Sequence, residues 1–145
     1  MRRRIFLSGG LGTVLAGCRS PSDAHGTLQR VSQGTLRVGV LEPVVLFRRR
    51  EEARALRSIA QQLGARIELH QGEMDMLMQD LMRDRLDLIA GDVPIAWDGQ
   101  SDMALTRPWG STVYKGRMVP AAFGVRGGES AFLEAVNRAL AEWRH

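Results

Sequence analysis

Apolar and polar residues recur along this chain with two different periods, and turn residues mark where one gives way to the other. Thr35 to Leu41 (TLRVGVL) is a compact apolar run that suits a strand buried on both faces. From Glu51 to Leu63, Ala53, Leu56, Ile59, Ala60 and Leu63 fall on one helical face, and Gly64 stands where a helix takes a left-handed C-cap. Arg66 to His70 alternates, with Ile67 and Leu69 set against Arg66, Glu68 and His70, as a half-buried strand does. Glu73 to Arg85 predicts a second amphipathic helix and Leu86 to Ala90 a third strand. Met103 to Thr106 and Val119 to Val125 are further candidate strands. Ser130 to Trp143 predicts a terminal helix with Phe132, Leu133, Val136, Ala139, Leu140 and Trp143 on one side. Strands separated by helices imply right-handed crossovers, hence an α/β fold with a mostly parallel sheet and flanking helices.

The first 34 residues read differently. Arg2, Arg3 and Arg4 form a basic start, and Ile5 to Ala16 a short apolar stretch broken by glycines, too brief to span a bilayer that needs about 20 apolar residues. Leu15-Ala16-Gly17-Cys18 has the form of a lipobox, in which cleavage before the cysteine leaves a thiol carrying diacylglycerol. An ordinary secretory peptide with a chance cysteine is the alternative. Arg3-Arg4-Ile5-Phe6-Leu7-Ser8 resembles the twin-arginine export signal, although three arginines suit the general export route equally. Residues 1–17 are therefore expected to be a lipoprotein signal peptide, 18–34 the lipidated Cys18 with a flexible Ser/Gly-rich tether (helical at most around Thr27 to Ser32), and 35–145 one folded lobe.

This division changes the charge argument. The chain has 20 Lys+Arg against 16 Asp+Glu, but three of the arginines lie in residues 1–17, leaving the remainder at 17 against 16. A surface so nearly balanced gives little support to nucleic-acid binding. The one cysteine is the proposed lipid site, so no disulfide framework and no thiol metal site are expected. Two acyl chains would anchor the protein stably.

The order of motifs over residues 35–145 resembles the family 3 extracellular solute-binding proteins, periplasmic receptors of ABC importers. Leu36 to Val40 matches their opening "LRVGV" strand, Leu63-Gly64 their helix end, and Ile67 to Leu69 an "-xIEL-" strand. Leu81 to Gly91 matches "L..g..DLI.G", and Leu105-Thr106-Arg107-Pro108-Trp109 an "F(S/T)xPY" element. Ala121 to Arg126 and Glu134 to Leu140 resemble the return strand and final helix. The resemblance implies a single lobe of a periplasmic-binding-protein-like (type II) fold. Two departures stand out. Only Gly110 to Val119 fills the gap where family members usually carry a second lobe, and Asp92 to Gly99 holds none of the arginine that pairs with an amino-acid carboxylate. One lobe offers half of a clamshell site.

Ligands of open parallel sheets sit beyond the strands' carboxyl ends at the switch in strand order. With the family's order, Glu42 and Asp92 lie there, either as a site for an amine, guanidinium or metal cation or as loop acids. Trp97, Trp109 and Thr106 could line the same edge, the rings through cation–π contact and the hydroxyl through a hydrogen bond; core packing is the alternative for either ring. Arg107 could meet an anionic ligand or pair with Asp92 or Asp102.

Other features point elsewhere. Met74, Met78 and Met82 share a helical arc with Leu77 and Leu81 while Met76 points away with Asp80 and Arg83, too dispersed for a copper site. His25 falls in the tether and His145 ends the chain, leaving His70 as the only histidine inside the expected fold; no G-x-S-x-G element or P-loop is present. Gly127-Gly128 reads as a turn or an anion cradle before the last helix. Arg48-Arg49-Arg50-Glu51-Glu52 reads as a solvated helix start whose arginines could meet an acidic partner. The expectation is a non-enzymatic lipoprotein, without cofactor, on the periplasmic face of a bacterial membrane. It would bind a small polar or cationic solute and present it to a membrane permease. The alternative is an interaction lipoprotein without a ligand. A homodimer could rebuild the clamshell, and Arg19 after Cys18 leaves the outer membrane open.

Overall fold

The structure, a computed structural model, describes residues 20–42, 49–95 and 102–143. Its elements run α1 (Thr27–Val31), β1 (Thr35–Leu41), α2 (Arg49–Leu63), β2 (Arg66–Gly72), α3 (Met74–Met82), β3 (Leu88–Pro94), β4 (Met103–Leu105), β5 (Gly110–Tyr114), β6 (Arg117–Arg126) and α4 (Ser130–Trp143). The strands form one sheet in the order β2-β1-β3-β6-β4, with β5 also paired to β6. β1 is parallel to β2 and to β3, while β6 is antiparallel to β3, β4 and β5, so five strands share one direction and β6 alone opposes them.

The sheet lies between two apolar clusters, and the run in β1 is continuous because both of its faces are covered. On one side Leu36, Val38 and Val40 pack with Ala55, Leu56 and Ile59 of α2 and Val136, Ala139 and Leu140 of α4. On the other, Leu77 and Leu81 of α3 meet Leu86, Ile89 and Val93. Gly39 permits that second contact, since a Cβ there would lie 2.7 Å from Leu86 Cδ1. Met76 is 63% exposed while Met74, Met78 and Met82 pack against the α3 cluster, as the helical arc requires. β2 is less buried than its alternation suggests: it is an edge strand, and Leu69 is 61% exposed.

The segment read as a flexible tether is, from residue 20 onward, part of the folded lobe. Val31 is fully buried in the larger cluster, Asp23 bridges to Glu129, and α1 packs ahead of β1. Its few apolar residues suffice because the rest of its anchoring is polar, through capping bonds described below. Residues 1–17, expected to be a signal peptide, lie outside the described residues, as do Cys18 and Trp97. The stretch Gly110 to Val119, too short for a second lobe, forms a hairpin instead. β5 turns at Lys115 (φ 50°) and Gly116 (φ 74°), the two-residue turn with both central φ values positive, and returns as β6.

Candidate functional site

At the carboxyl ends of β1 and β3 the chain approaches itself closely. Val40 pairs with Ala90, and Gly91 then lies against Leu41. Gly91 has φ 108°, and a Cβ on it would lie 2.7 Å from both Cβ and N of Leu41, so only glycine fits. Asp92 follows at φ 60°, a left-handed conformation that aspartate tolerates better than most residues. Between the pairs Ile89–Gly124 and Val93–Ala122, β3 carries three residues against one in β6, a bulge that re-aims the strand end. Glu42 is exposed and Asp92 half-buried, giving a carboxylate edge at the point where the strand order reverses.

Glu52 belongs to this edge and was missed. It is buried in the first turn of α2, and its Oε1 accepts a hydrogen bond from the Gly91 N–H, fixing the bulge. The pair Glu51-Glu52 looks like a solvated helix start, but Glu52 falls four residues before Leu56 on the buried face, the signal that could have found it. Beside it lies an apolar cavity of about 230 Å³ lined by Val40, Glu52, Ala53, Leu56, Leu69 and Gln71.

The remaining candidates are placed elsewhere. Thr106 is buried: its Oγ1 accepts from the Phe123 N–H at 3.0 Å and donates to the Arg107 carbonyl at 2.9 Å, so its hydroxyl serves the backbone. Trp109 is buried and stacks on Phe123, ring centroids 6.0 Å apart, as a core residue. Arg107 is exposed and lies against α4, its N–H donating to Asn137 Oδ1 at 2.6 Å; its guanidinium makes no ion pair among the described residues. The structure thus places Glu42 after the end of β1 and Asp92 in the carboxyl-terminal half of β3, and packs Thr106 and Trp109 into the sheet.

The opposite end of the sheet is also rich in carboxylates, but these are consumed by the chain's own donors. Asp87, buried, receives hydrogen bonds from Arg37 N, Nε and Nη2 and from Arg30 Nη2 at 2.7–3.1 Å. Burial alone would push its carboxyl up; the two guanidinium groups and the Arg37 amide outweigh it and hold Asp87 below the usual range, while Arg37 is raised through its bond to Asp87. Glu129, also buried, accepts from His25 N (2.8 Å), His25 Nδ1 (2.8 Å) and Thr27 N (3.1 Å). Burial raises its carboxyl and the bonds from Thr27 and His25 more than offset this, leaving it lowered. Asp23 reciprocates, accepting from Leu28 N (2.7 Å) and Phe132 N (2.9 Å), so the α4 N-terminus after Gly127-Gly128 is capped by the chain itself. Among the described residues no three His, Cys, Asp or Glu side chains converge as a metal site, and no helix is long and apolar enough to cross a membrane.

Comparison with known proteins places this architecture. The family model of the bacterial extracellular solute-binding proteins, family 3, matches residues 52–145. Among solved structures, the arginine-bound form of domain 1 from TmArgBP is similar at TM-score 0.65 and 21% identity, covering 79% of this chain and 97% of that one. The unliganded open L-cystine solute receptor of Neisseria gonorrhoeae is similar at 0.66 and 12%, covering 81% and 91%. The ancestral amino-acid-binding protein AncCDT-1, described as a precursor of cyclohexadienyl dehydratase, is similar at 0.68 and 12%, covering 81% and 93%. Comparison with curated protein sequences finds no match.

Proposed function

The chain belongs to the family 3 bacterial extracellular solute-binding proteins, and from that membership we propose that it binds a small cationic or polar solute at the Glu42–Asp92 edge. The observation that carries this reading is the bulge in the carboxyl-terminal half of β3, where Gly91 packs against Leu41 and Glu52 accepts from the Gly91 N–H, with Asp92 on the bulge and Glu42 following β1. Two carboxylates so placed favour an amine or a guanidinium. The neighbour described as an arginine-bound domain 1 supports the reading, because arginine carries a guanidinium and this chain covers 97% of that one. We further propose that residues 1–17 are a signal peptide and that Cys18 carries the lipid anchor. The solute is then handed to a membrane permease on the periplasmic side, and no reaction is catalysed.

A second reading is favoured by one observation. Val113 and Met118, paired across the β5–β6 hairpin, are 56% and 65% exposed, and Ser111 and Pro120 beside them are exposed too. An uncharged ribbon face of this kind suits a protein partner. Thermal unfolding of the mature chain carrying Cys18→Ser, against L-arginine, L-lysine, spermidine, L-glutamate and L-cystine, separates the two readings. A ligand at about 100 times its dissociation constant adds about 2.7 kcal/mol, a shift of several degrees. Such a shift from a cationic compound supports the receptor; a flat panel overturns tight solute binding and leaves the ribbon.

A further inference from the structure

We propose that the segment after Cys18 is a latch rather than a tether, and that it turns the amino end of the sheet towards the anchoring membrane and the Glu42–Asp92 edge away from it. The proposal rests on Cys18 being the lipid site. A flexible tether of 16 residues would let the lobe tumble freely over the bilayer. The fold removes that freedom almost at once. Ser130 N donates to the Ser22 carbonyl at 3.2 Å, and Ala24 N to the Gly128 carbonyl at 3.3 Å. Asp23 then caps α1 and α4 together through Leu28 N and Phe132 N, and Glu129 caps the start of α1 through Thr27 N. Each segment thus supplies the carboxylate that the other's backbone needs. Only four residue steps separate Cys18 from Ser22, a reach of at most about 14 Å at 3.3–3.6 Å per residue.

The direction follows from the strand register. α1 leads directly into Thr35, the first residue of β1, and β6 ends at Arg126 beside the start of β3, where Leu88 pairs with Val125. The latch therefore lies at the amino end of the parallel strands. Glu42 follows the seven-residue β1, about 20 Å away at roughly 3.3 Å per residue. The β5–β6 hairpin extends in the same outward direction, since β6 continues from Ala121 to Arg117 past Pro94, the last residue of β3. The lobe thus presents its bound solute and its ribbon to a partner reaching from the far side.

Short-range fluorescence quenching on the lipidated full chain in vesicles tests this. A single thiol is placed at the amino end by Asp102→Cys or at the ribbon by Met118→Cys, both at exposed positions, and the quencher is a nitroxide on the lipid headgroup. We expect the label at 102 to be quenched several-fold more than the label at 118. Inserting a Gly/Ser linker of about 15 residues (r.m.s. span about 20 Å) after Cys18 should equalise the two. The Asp23→Ala and Glu129→Gln pair should narrow the difference without unfolding the lobe, as circular dichroism would verify. Equal quenching at both positions in the lipidated parent chain overturns the latch while leaving solute binding intact. Mass spectrometry that finds no acyl chains on Cys18 overturns the anchor itself, and the orientation with it.

Discussion

Asp87, Asp23 and Glu129, at the amino end of the parallel strands, are each consumed by N–H donors of the chain, whereas Glu42 and Asp92, at the carboxyl end, edge a surface. Asp87 meets two guanidinium groups and a backbone amide, and Glu129 a backbone turn and a histidine. Glu42 is exposed, and Asp92 sits half-buried on a left-handed bulge. Both ends carry acids, so acid content does not distinguish them. What differs is the setting: Asp87, Asp23 and Glu129 serve the chain's own backbone and guanidinium groups, whereas Glu42 stands in solvent at the end of β1.

Breaking the amino end should cost the most stability. Asp87→Ala leaves Arg30 and Arg37 facing an empty buried position and is expected to lose about 3 kcal/mol in urea unfolding, within the range for breaking one partner out of a buried pair. Solute affinity of the folded fraction should not change, and an altered affinity would mean the two ends are coupled. Gly91→Ala strikes the carboxyl end. Its Cβ would meet Leu41 at 2.7 Å in a left-handed conformation, so a loss of about 2 kcal/mol should come together with weaker solute binding, because the bulge aims Asp92.

Acid should act through the amino end. Asp87 and Glu129 are both held below their unfolded values. Their contribution is complete above the unfolded carboxylate range and is lost as pH falls towards the depressed folded values. Stability measured by urea at successive pH values should therefore decline on the acid side, and Glu129→Gln should flatten that limb. A profile unchanged by the substitution would show that the capping bonds carry no linkage. The smallest effect is expected at Arg107, whose exposed guanidinium makes no ion pair among the described residues: Arg107→Ala should change stability by less than about 0.5 kcal/mol. A solute affinity that also stays unchanged would set this arginine apart from the acidic edge.

Much of the frame was legible because its signals are local. The apolar run of β1 and the 3.6-residue period of α4 give their bounds directly, Thr35–Leu41 and Ser130–Trp143. β5 was not read, because Gly110–Tyr114 has little apolar alternation and takes its strand form from pairing across the Lys115-Gly116 turn. The latch was invisible for a different reason: Asp23 and Glu129 exchange caps with partners about a hundred positions away, and a polar segment held by such bonds has the composition of a linker. Glu42 and Asp92 were expected at the carboxyl ends of the first and third strands from the family's strand order, and β1 and β3 are indeed adjacent and parallel. Glu52 was not expected, since its burial depends on how α2 lies against Gly91, and Thr106 and Trp109 looked available until β6 covered them.

Calorimetric titration of L-arginine into the mature chain carrying Cys18→Ser, with and without Asp92→Asn, tests the proposed carboxyl-end site most directly. The account predicts saturable one-site binding that weakens at least about tenfold in the Asp92→Asn chain, or about 1.4 kcal/mol. Binding of equal strength in both chains, or no binding in the parent while other cations also fail, would contradict it.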